Sequence, residues 1–280
     1  MTLTESDAAI EHGYADSGGI KLHYAAIGEG PLIVFVHGFP DFWYTWRHQM
    51  AGLCARFKCV AYDTRGYNLS DKPTGAENYK LSKLGDDVLA VVDHFAAKKF
   101  VLCGHDWGGA TAWRLAMFHP ERIEKLIILN LPHPACMSRE FVHNPKQQEA
   151  SAYAKRMQEH GGAHLNAEKL AQWVSNPAAK AKYIEAFEKS DYEAMANYYK
   201  ANYAKPPYRE LEGLPKMQMP VLQIHGLDDW ALLPGALDGT WKWMAKDYTL
   251  VTVPGSGHFV QQDAADVVTN TIRAWLGRDG

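Results

Sequence analysis

The chain has 280 residues, of which 47% are hydrophobic and 22% charged, a composition typical of a globular protein with a sizeable core. Its formal net charge is −3 and no segment concentrates Lys or Arg, so neither a nucleic-acid nor a membrane-surface role is expected. No apolar run approaches the ~20 residues that a membrane span requires. The residues Met1–Asp7 are polar and acidic, unlike a signal peptide, and we therefore expect a cytoplasmic protein.

In chain order, a turn signal at Ala15–Ile20 between two strand-like pieces predicts a hairpin at the edge of a sheet. Short apolar runs without polar alternation then predict strands that are covered on both faces, as in a parallel sheet. These runs are Leu32–Val36, Cys59–Tyr62, Phe100–Cys103, Leu126–Leu129, Val221–Ile224 and Tyr248–Val253. Apolar residues at helical spacing lie between or after them, as at Leu84, Val88, Val91 and Phe95 and at Val268, Ile272 and Trp275. The alternation predicts an α/β fold with a mostly parallel sheet flanked by helices.

The alternation is interrupted between about Pro132 and Pro215, where the chain becomes rich in Ala, Lys, Glu and Tyr. Asn176-Pro177 is a helix-start signal, and Ser190 with Glu193 has the spacing of a capping box. We interpret this stretch as a helical cap inserted between two core strands. The predicted organisation is a core over residues 1–132, a cap over 133–215 and the rest of the core over 216–280.

The segment Gly104-His-Asp106-Trp-Gly108 follows a predicted strand and precedes a predicted helix. It has the G-x-S-x-G pattern of a nucleophile elbow with aspartate in the position of the serine. A strand–turn–helix with Asp106 as an ordinary N-cap is the alternative interpretation. An aspartate needs no base to become a nucleophile, because a carboxylate with a pKa near ~3.9 is already ionised at neutral pH.

Three further segments fit a catalytic site around Asp106. His37-Gly-Phe39-Pro40 follows a predicted strand, where the backbone N–H groups of Phe39 and Trp107 would form an oxyanion hole and His37 would hold the loop in shape. His258, flanked by glycine, follows the last predicted strand and is a candidate base. Asp228 and Asp229 follow the predicted strand Val221–Ile224, and either can orient the imidazole of His258. The order nucleophile, acid, histidine is the one this fold requires.

The motifs His37-Gly-Phe-Pro40, Asp63-Thr-Arg-Gly-Tyr67 and Gly104-His-Asp-Trp-Gly-Gly109 resemble those of the soluble epoxide hydrolases of the α/β-hydrolase fold, over essentially the whole chain. The resemblance implies that the cap supplies two tyrosines to the epoxide oxygen, and it assigns them to Tyr153 and Tyr199. It also favours Asp229 over Asp228 as the acid. Phe39 and Trp107 would contact substrate as well. Asn68 stands where the pattern usually has glycine, and asparagine tolerates the left-handed conformation.

The implied function is hydrolysis of a small apolar epoxide by an enzyme that needs no cofactor or metal. One alternative is a haloalkane or haloacid dehalogenase of the same fold, whose halide leaving group needs N–H donors but no general acid. A second is a non-catalytic small-molecule receptor that kept the triad. An esterase is disfavoured by Asp106 in place of serine. The particular epoxide, the enantiomer preference and the oligomeric state are left open.

Overall fold

A computed structural model describes residues 9–277, and Met1–Asp7, on which part of the cytoplasmic expectation rests, lie outside the described residues. At its centre is an eight-stranded sheet with the order β1-β2-β4-β3-β5-β6-β7-β8. The strands are β1 (Glu11–Ser17), β2 (Ile20–Ile27), β3 (Leu32–Val36), β4 (Lys58–Tyr62), β5 (Phe100–His105), β6 (Ile123–Leu129), β7 (Val221–Gly226) and β8 (Tyr248–Val253). β2 is antiparallel to β1 and β4, and the other neighbours are parallel. The predicted α/β class and edge hairpin are therefore confirmed.

The helices fall into those that flank the sheet and those that lie between β6 and β7. In chain order they are α1 (Arg47–Leu53), α2 (Leu81–His94), α3 (Trp107–Phe118), α4 (Pro134–His143), α5 (Pro145–Ala150), α6 (Ala152–His160), α7 (Ala167–Leu170), α8 (Pro177–Glu188), α9 (Tyr192–Asn202), α10 (Val260–Asp263) and α11 (Ala265–Leu276). Short 3-10 turns occupy Trp43–Trp46, Ala76–Tyr79, Pro120–Arg122, Pro234–Leu237 and Thr240–Trp243. We call α4 to α9 the helical insertion.

The central strands β3, β5 and β7 are covered on both faces, which explains why they are mostly apolar, whereas β8 at the edge is partly exposed, contrary to the prediction for Tyr248–Val253. Residues of β3 alternate between two core clusters, with Val34 on one face and Phe35 on the other. Val88 of α2 belongs to the first cluster and Ile272 of α11 to the second. Because every residue of β3, β5 and β7 is buried, neither face can carry polar side chains without partners.

Several helices of the helical insertion are capped at their N-termini by side chains. Asn176 caps α8 by accepting a hydrogen bond from the Ala179 N–H at 3.0 Å, as predicted. The predicted capping box at Ser190 is wrong, because Asp191 caps α9 instead. The Ser190 hydroxyl donates back to the Ala186 carbonyl at 2.8 Å and so belongs to the end of the preceding helix. The domain bounds at 133 and 215 stay a prediction.

Over residues 9–277, no helix is both long enough and apolar enough to cross a membrane. The cytoplasmic location stays a prediction.

Candidate active site

The turn between β5 and α3 places Asp106 at the carboxyl edge of the sheet with φ 51° and ψ −121°. Its side chain makes no capping hydrogen bond to α3, so the alternative of an ordinary N-cap does not describe it. Two glycines allow close contacts around this turn. A Cβ at Gly108 would lie 2.0 Å from the Val36 carbonyl oxygen, and one at Gly38 would lie 2.3 Å from Asp106 Oδ1. Glycine at these positions therefore allows the carboxylate to meet the loop after β3.

The two oxygens of the Asp106 carboxylate have different surroundings. Oδ1 accepts a hydrogen bond from the Phe39 N–H at 2.7 Å, and the Trp107 N–H lowers the pKa of the carboxylate. Oδ2 lies 3.6 Å from His258 Nε2. Burial raises the pKa of Asp106, and it outweighs the opposing effects of His258 and the two N–H groups. The two N–H groups predicted to form the oxyanion hole thus both act on the Asp106 carboxylate, and its Oδ2 faces His258.

His37 holds the loop that carries Phe39. Its Nδ1–H donates to the Gly38 carbonyl at 2.9 Å, and its Nε2 accepts from the Thr64 N–H at 3.0 Å. Burial lowers the pKa of His37 to about 4, so the ring stays neutral, with one donor and one acceptor. These bonds agree with the structural role expected for this residue.

His258 and Asp229 form a hydrogen-bonded pair, with 2.9 Å between Nδ1 and Oδ2. Asp229 accepts three further hydrogen bonds, from the Ala231 and Leu232 N–H groups at Oδ1 and from Asn130 Nδ2 at Oδ2. Burial would raise the pKa of Asp229, but His258 and these donors outweigh it and hold that pKa below its usual range. Asp228 is exposed and is not the partner of His258.

The surroundings of His258 shift the pKa of its imidazole far from the usual value. Burial lowers the pKa of His258, but the carboxylates of Asp229 and then Asp106 outweigh it and raise the pKa to about 9. His105 Nε2–H donates to the His258 carbonyl at 2.8 Å, which fixes the backbone of the histidine against the elbow. With Asp106 ionised, the imidazole is therefore protonated at neutral pH.

The two tyrosines assigned by resemblance lie beside one another, with ring centroids 5.8 Å apart. Tyr199 also meets the rings of Phe39 and Trp107 edge-on at 5.6 Å and 5.1 Å. Burial raises the pKa of both tyrosines well above the usual value, so both hydroxyls keep their protons at neutral pH. The neighbouring Tyr198 points away, and its hydroxyl donates to the backbone carbonyl of Arg65 at 2.7 Å.

Two cavities meet at this tyrosine pair. A cavity of about 540 Å³ is lined by His258 and by Trp230 at its edge, and one of about 480 Å³ is lined by Asp106. Tyr153 and Tyr199 line both. Asp106 and His258 therefore line two adjacent, largely apolar cavities, and Tyr153 and Tyr199 of the helical insertion form a wall common to both.

A sequence profile of the α/β-hydrolase fold matches residues 31–265. The mouse protein named epoxide hydrolase 4 is 32% identical in an alignment that covers 92% of this chain and 77% of that one. The chain belongs to the epoxide hydrolases of the α/β-hydrolase fold. A crystal structure of the Bacillus megaterium epoxide hydrolase with an inhibitor is 31% identical and superposes with a TM-score of 0.86 over 95% of this chain and 100% of that one. The Bacillus subtilis AB hydrolase superfamily protein YfhM is 47% identical over 143 residues, half the length of each chain.

In this epoxide hydrolase, sequence reasoning missed residues that support the triad. Asn130 directly follows β6, has a φ of 42°, and binds both Asp229 Oδ2 at 2.8 Å and the Gly257 carbonyl at 3.1 Å. A polar residue at the carboxyl end of a parallel strand is a usable signal, because ligand and catalytic groups collect at that edge. The partners of His105 and Asp41 could not be inferred from the sequence, since they lie 153 and 142 positions away.

Proposed function

We propose that the chain hydrolyses epoxides to vicinal diols in two steps, through a covalent alkyl ester on Asp106. The observation that carries this proposal is that the two oxygens of the Asp106 carboxylate have different partners. Oδ1 is held at 2.7 Å by the Phe39 N–H, whereas Oδ2 faces His258. Such an arrangement fits an oxygen that attacks and an oxygen that becomes an oxyanion.

In the first step, Asp106 Oδ2 attacks one epoxide carbon and the bond from that carbon to the epoxide oxygen breaks. The developing alkoxide is a poor leaving group, and it needs a proton donor. Tyr153 and Tyr199 are assigned this role because both are protonated and line the cavity that contains Asp106. One hydroxyl gives its proton to the oxygen while the other donates a hydrogen bond to it, and the tyrosinate that results regains a proton from the His258 imidazolium.

In the second step, His258 takes a proton from a water molecule, whose oxygen attacks Cγ of the ester. The negative charge of the tetrahedral intermediate falls on Oδ1, where the N–H groups of Phe39 and Trp107 stabilise it. Collapse of the intermediate expels the diol oxygen, which takes the proton back from His258, and the Asp106 carboxylic acid that results gives its own proton to the imidazole. Asp229 keeps the Nδ1–H of the histidine in place and stabilises the imidazolium.

The ester also switches the histidine from acid to base. In the free enzyme the two carboxylates raise the pKa of His258 to about 9, so it cannot accept a proton at neutral pH. Formation of the ester removes the negative charge on Asp106, and the pKa of His258 must then fall. The base therefore becomes available at the stage that requires it.

The helical insertion, over the predicted domain bounds 133–215, is assigned the role of a cap. It supplies Tyr153 from α6 and Tyr199 from α9, and both line the cavities that contain His258 and Asp106. A halide leaving group would need no such proton donors, so the tyrosine pair favours an epoxide over a haloalkane substrate.

The test is a panel of aliphatic, aryl and trans-disubstituted epoxides, assayed for diol, beside 1-bromobutane assayed for bromide. We expect steady multiple turnover on at least one epoxide and loss of turnover in Asp106→Asn. A matched control is Asp228→Asn, which makes the same change at an exposed carboxylate. Bromide release faster than diol formation across the panel would overturn the assignment, and a single turnover without steady release would indicate a binding protein.

A further inference from the structure

Asp41 is a fully buried carboxylate that the proposed mechanism does not use. It follows the oxyanion-hole residue Phe39 by two positions and is 0% exposed. Its Oδ1 accepts hydrogen bonds from the Phe42 N–H at 2.9 Å and from the Tyr183 hydroxyl at 2.8 Å. Burying a carboxylate costs free energy unless it accepts hydrogen bonds, so loss of these two bonds would destabilise the present position of Asp41.

The contacts of Asp41 come from three separate parts of the chain. Tyr183 belongs to α8 of the helical insertion and is itself 0% exposed. Gln261 of α10 lies three residues after His258, and its Nε2 is 3.5 Å from Asp41 Oδ2 and 3.0 Å from Thr45 Oγ1. One carboxylate thus joins the loop of the oxyanion hole, the insertion and the segment that carries the catalytic base.

Tyr183 is also part of an aromatic contact that reaches the base. Its ring meets Trp173 edge-on at 5.1 Å, and Trp173 stacks face to face on Phe259 with 3.5 Å between centroids. Phe259 directly follows His258, and both Trp173 and Phe259 line the cavity that contains the histidine. A displacement of Tyr183 would therefore move side chains that line the His258 cavity as well as the loop that carries Phe39.

Among residues 9–277, the charged or titratable groups that interact with Asp41 are Arg47 of α1, Tyr67 of the loop after β4, Tyr183 of α8 and His258. Burial raises the pKa of Asp41 to about 7, against the opposing hydrogen bonds of Thr45, the Phe42 N–H and Tyr183 and the more distant charge of Arg47. Removal of the Tyr183 hydroxyl should therefore raise this pKa further.

We propose that Asp41 and Tyr183 form a latch that holds the helical insertion against the core and keeps the Phe39 N–H and His258 aligned for ester hydrolysis. Both are positioning residues, since neither is assigned a contact with the reacting atoms. The inference rests on the proposed ester mechanism. Alkylation uses a carboxylate that is already formed, whereas hydrolysis needs the oxyanion hole and the base together, so loosening the latch should slow the second step most.

The experiment measures the two steps separately in single turnovers, by the formation and decay of the ester on Asp106. In Tyr183→Phe, decay should slow by about tenfold, the effect of losing a hydrogen bond to a charged group, and formation should change much less. Tyr44→Phe is the matched control, because Tyr44 lies in the same aromatic cluster and has no hydrogen bond to Asp41. We expect both rates of Tyr44→Phe to equal those of the wild-type enzyme.

A second readout reports the carboxyl directly. The infrared carbonyl stretch of protonated Asp41 should titrate near pH 7 in the wild-type enzyme, move to higher pH in Tyr183→Phe and vanish in Asp41→Asn. A side chain that only fills space would not move this titration. Asp41→Asn keeps an acceptor for Tyr183 but loses the charge, so its ester decay should also slow, and it tests the latch if Tyr183→Phe does not fold.

The inference is overturned if Tyr183→Phe and Asp41→Asn both keep the wild-type ratio of the two rates, or if Tyr44→Phe changes that ratio equally. Failure of the underlying mechanism looks different. In that case no ester on Asp106 is detected in the wild-type enzyme or in His258→Gln, whatever the latch variants do.

Discussion

Replacement of Asp106 by asparagine should lower the pKa of His258 while keeping the shape of the elbow. The substitution removes one negative charge from a carboxylate whose Oδ2 lies 3.6 Å from His258 Nε2. Two unit charges about 4 Å apart interact by about 1 kcal/mol in water and about 4 kcal/mol at the effective dielectric constant of a protein site. Since about 1.4 kcal/mol corresponds to one pKa unit, the pKa should fall by roughly 1 to 3 from its value of about 9.

The assay is a nuclear magnetic resonance titration of protein labelled with ¹⁵N in its histidine rings, with the His258 signals assigned by their loss in His258→Gln. The uncharged asparagine side chain of Asp106→Asn stands in for the ester, so the variant reports the charge state that the histidine has in the second step. Asp228→Asn is the control and should leave the titration unchanged, because Asp228 is exposed and Asp229 is the residue bonded to His258. An unchanged pKa of His258 in Asp106→Asn would refute the switch from acid to base.

Three further predictions concern the residues around the nucleophile. Tyr199→Phe should slow epoxide opening by about 10²-fold or more, as expected for loss of a general acid, whereas Tyr198→Phe should leave that step nearly unchanged in the same stopped-flow assay. Asp229→Asn should slow ester hydrolysis by about 10²-fold or more, because the histidine loses the carboxylate that orients it, and Asp228→Asn should not; equal effects would contradict the assignment. Gly38→Ala places a methyl group 2.3 Å from a carboxylate oxygen of the nucleophile, so it should abolish turnover in a protein whose circular dichroism shows that it folds.

The strands and the elbow could be predicted because their signals are local. The runs Leu32–Val36 and Tyr248–Val253 match the observed strands residue for residue. β3 is buried on both faces and is therefore apolar throughout, and the sharp turn after β5 carries small residues. Asn68 has a φ of 42°, which confirms that asparagine supports the left-handed conformation expected there.

The partners of the buried polar groups could not be predicted, because they depend on contacts between distant parts of the chain. The hydrogen bond between Tyr183 and Asp41 joins residues 142 positions apart, and the one between Asn130 and Asp229 joins residues 99 positions apart. Local reasoning also failed where two signals competed. Ser190 had the spacing of a cap, but the adjacent aspartate provides the stronger acceptor and starts α9.

The central claim, that Asp106 is a nucleophile, is tested most directly by one turnover of excess enzyme on an epoxide in H₂¹⁸O. Water that attacks Cγ of the ester leaves one label in the carboxylate, and the diol takes its new oxygen from Asp106 Oδ2. We therefore expect mass spectrometry to find ¹⁸O in the peptide that contains Asp106 and unlabelled diol from the first turnover. Label in the diol and none in Asp106 would mean that water opens the epoxide directly, with Asp106 as a general base, and would contradict the account.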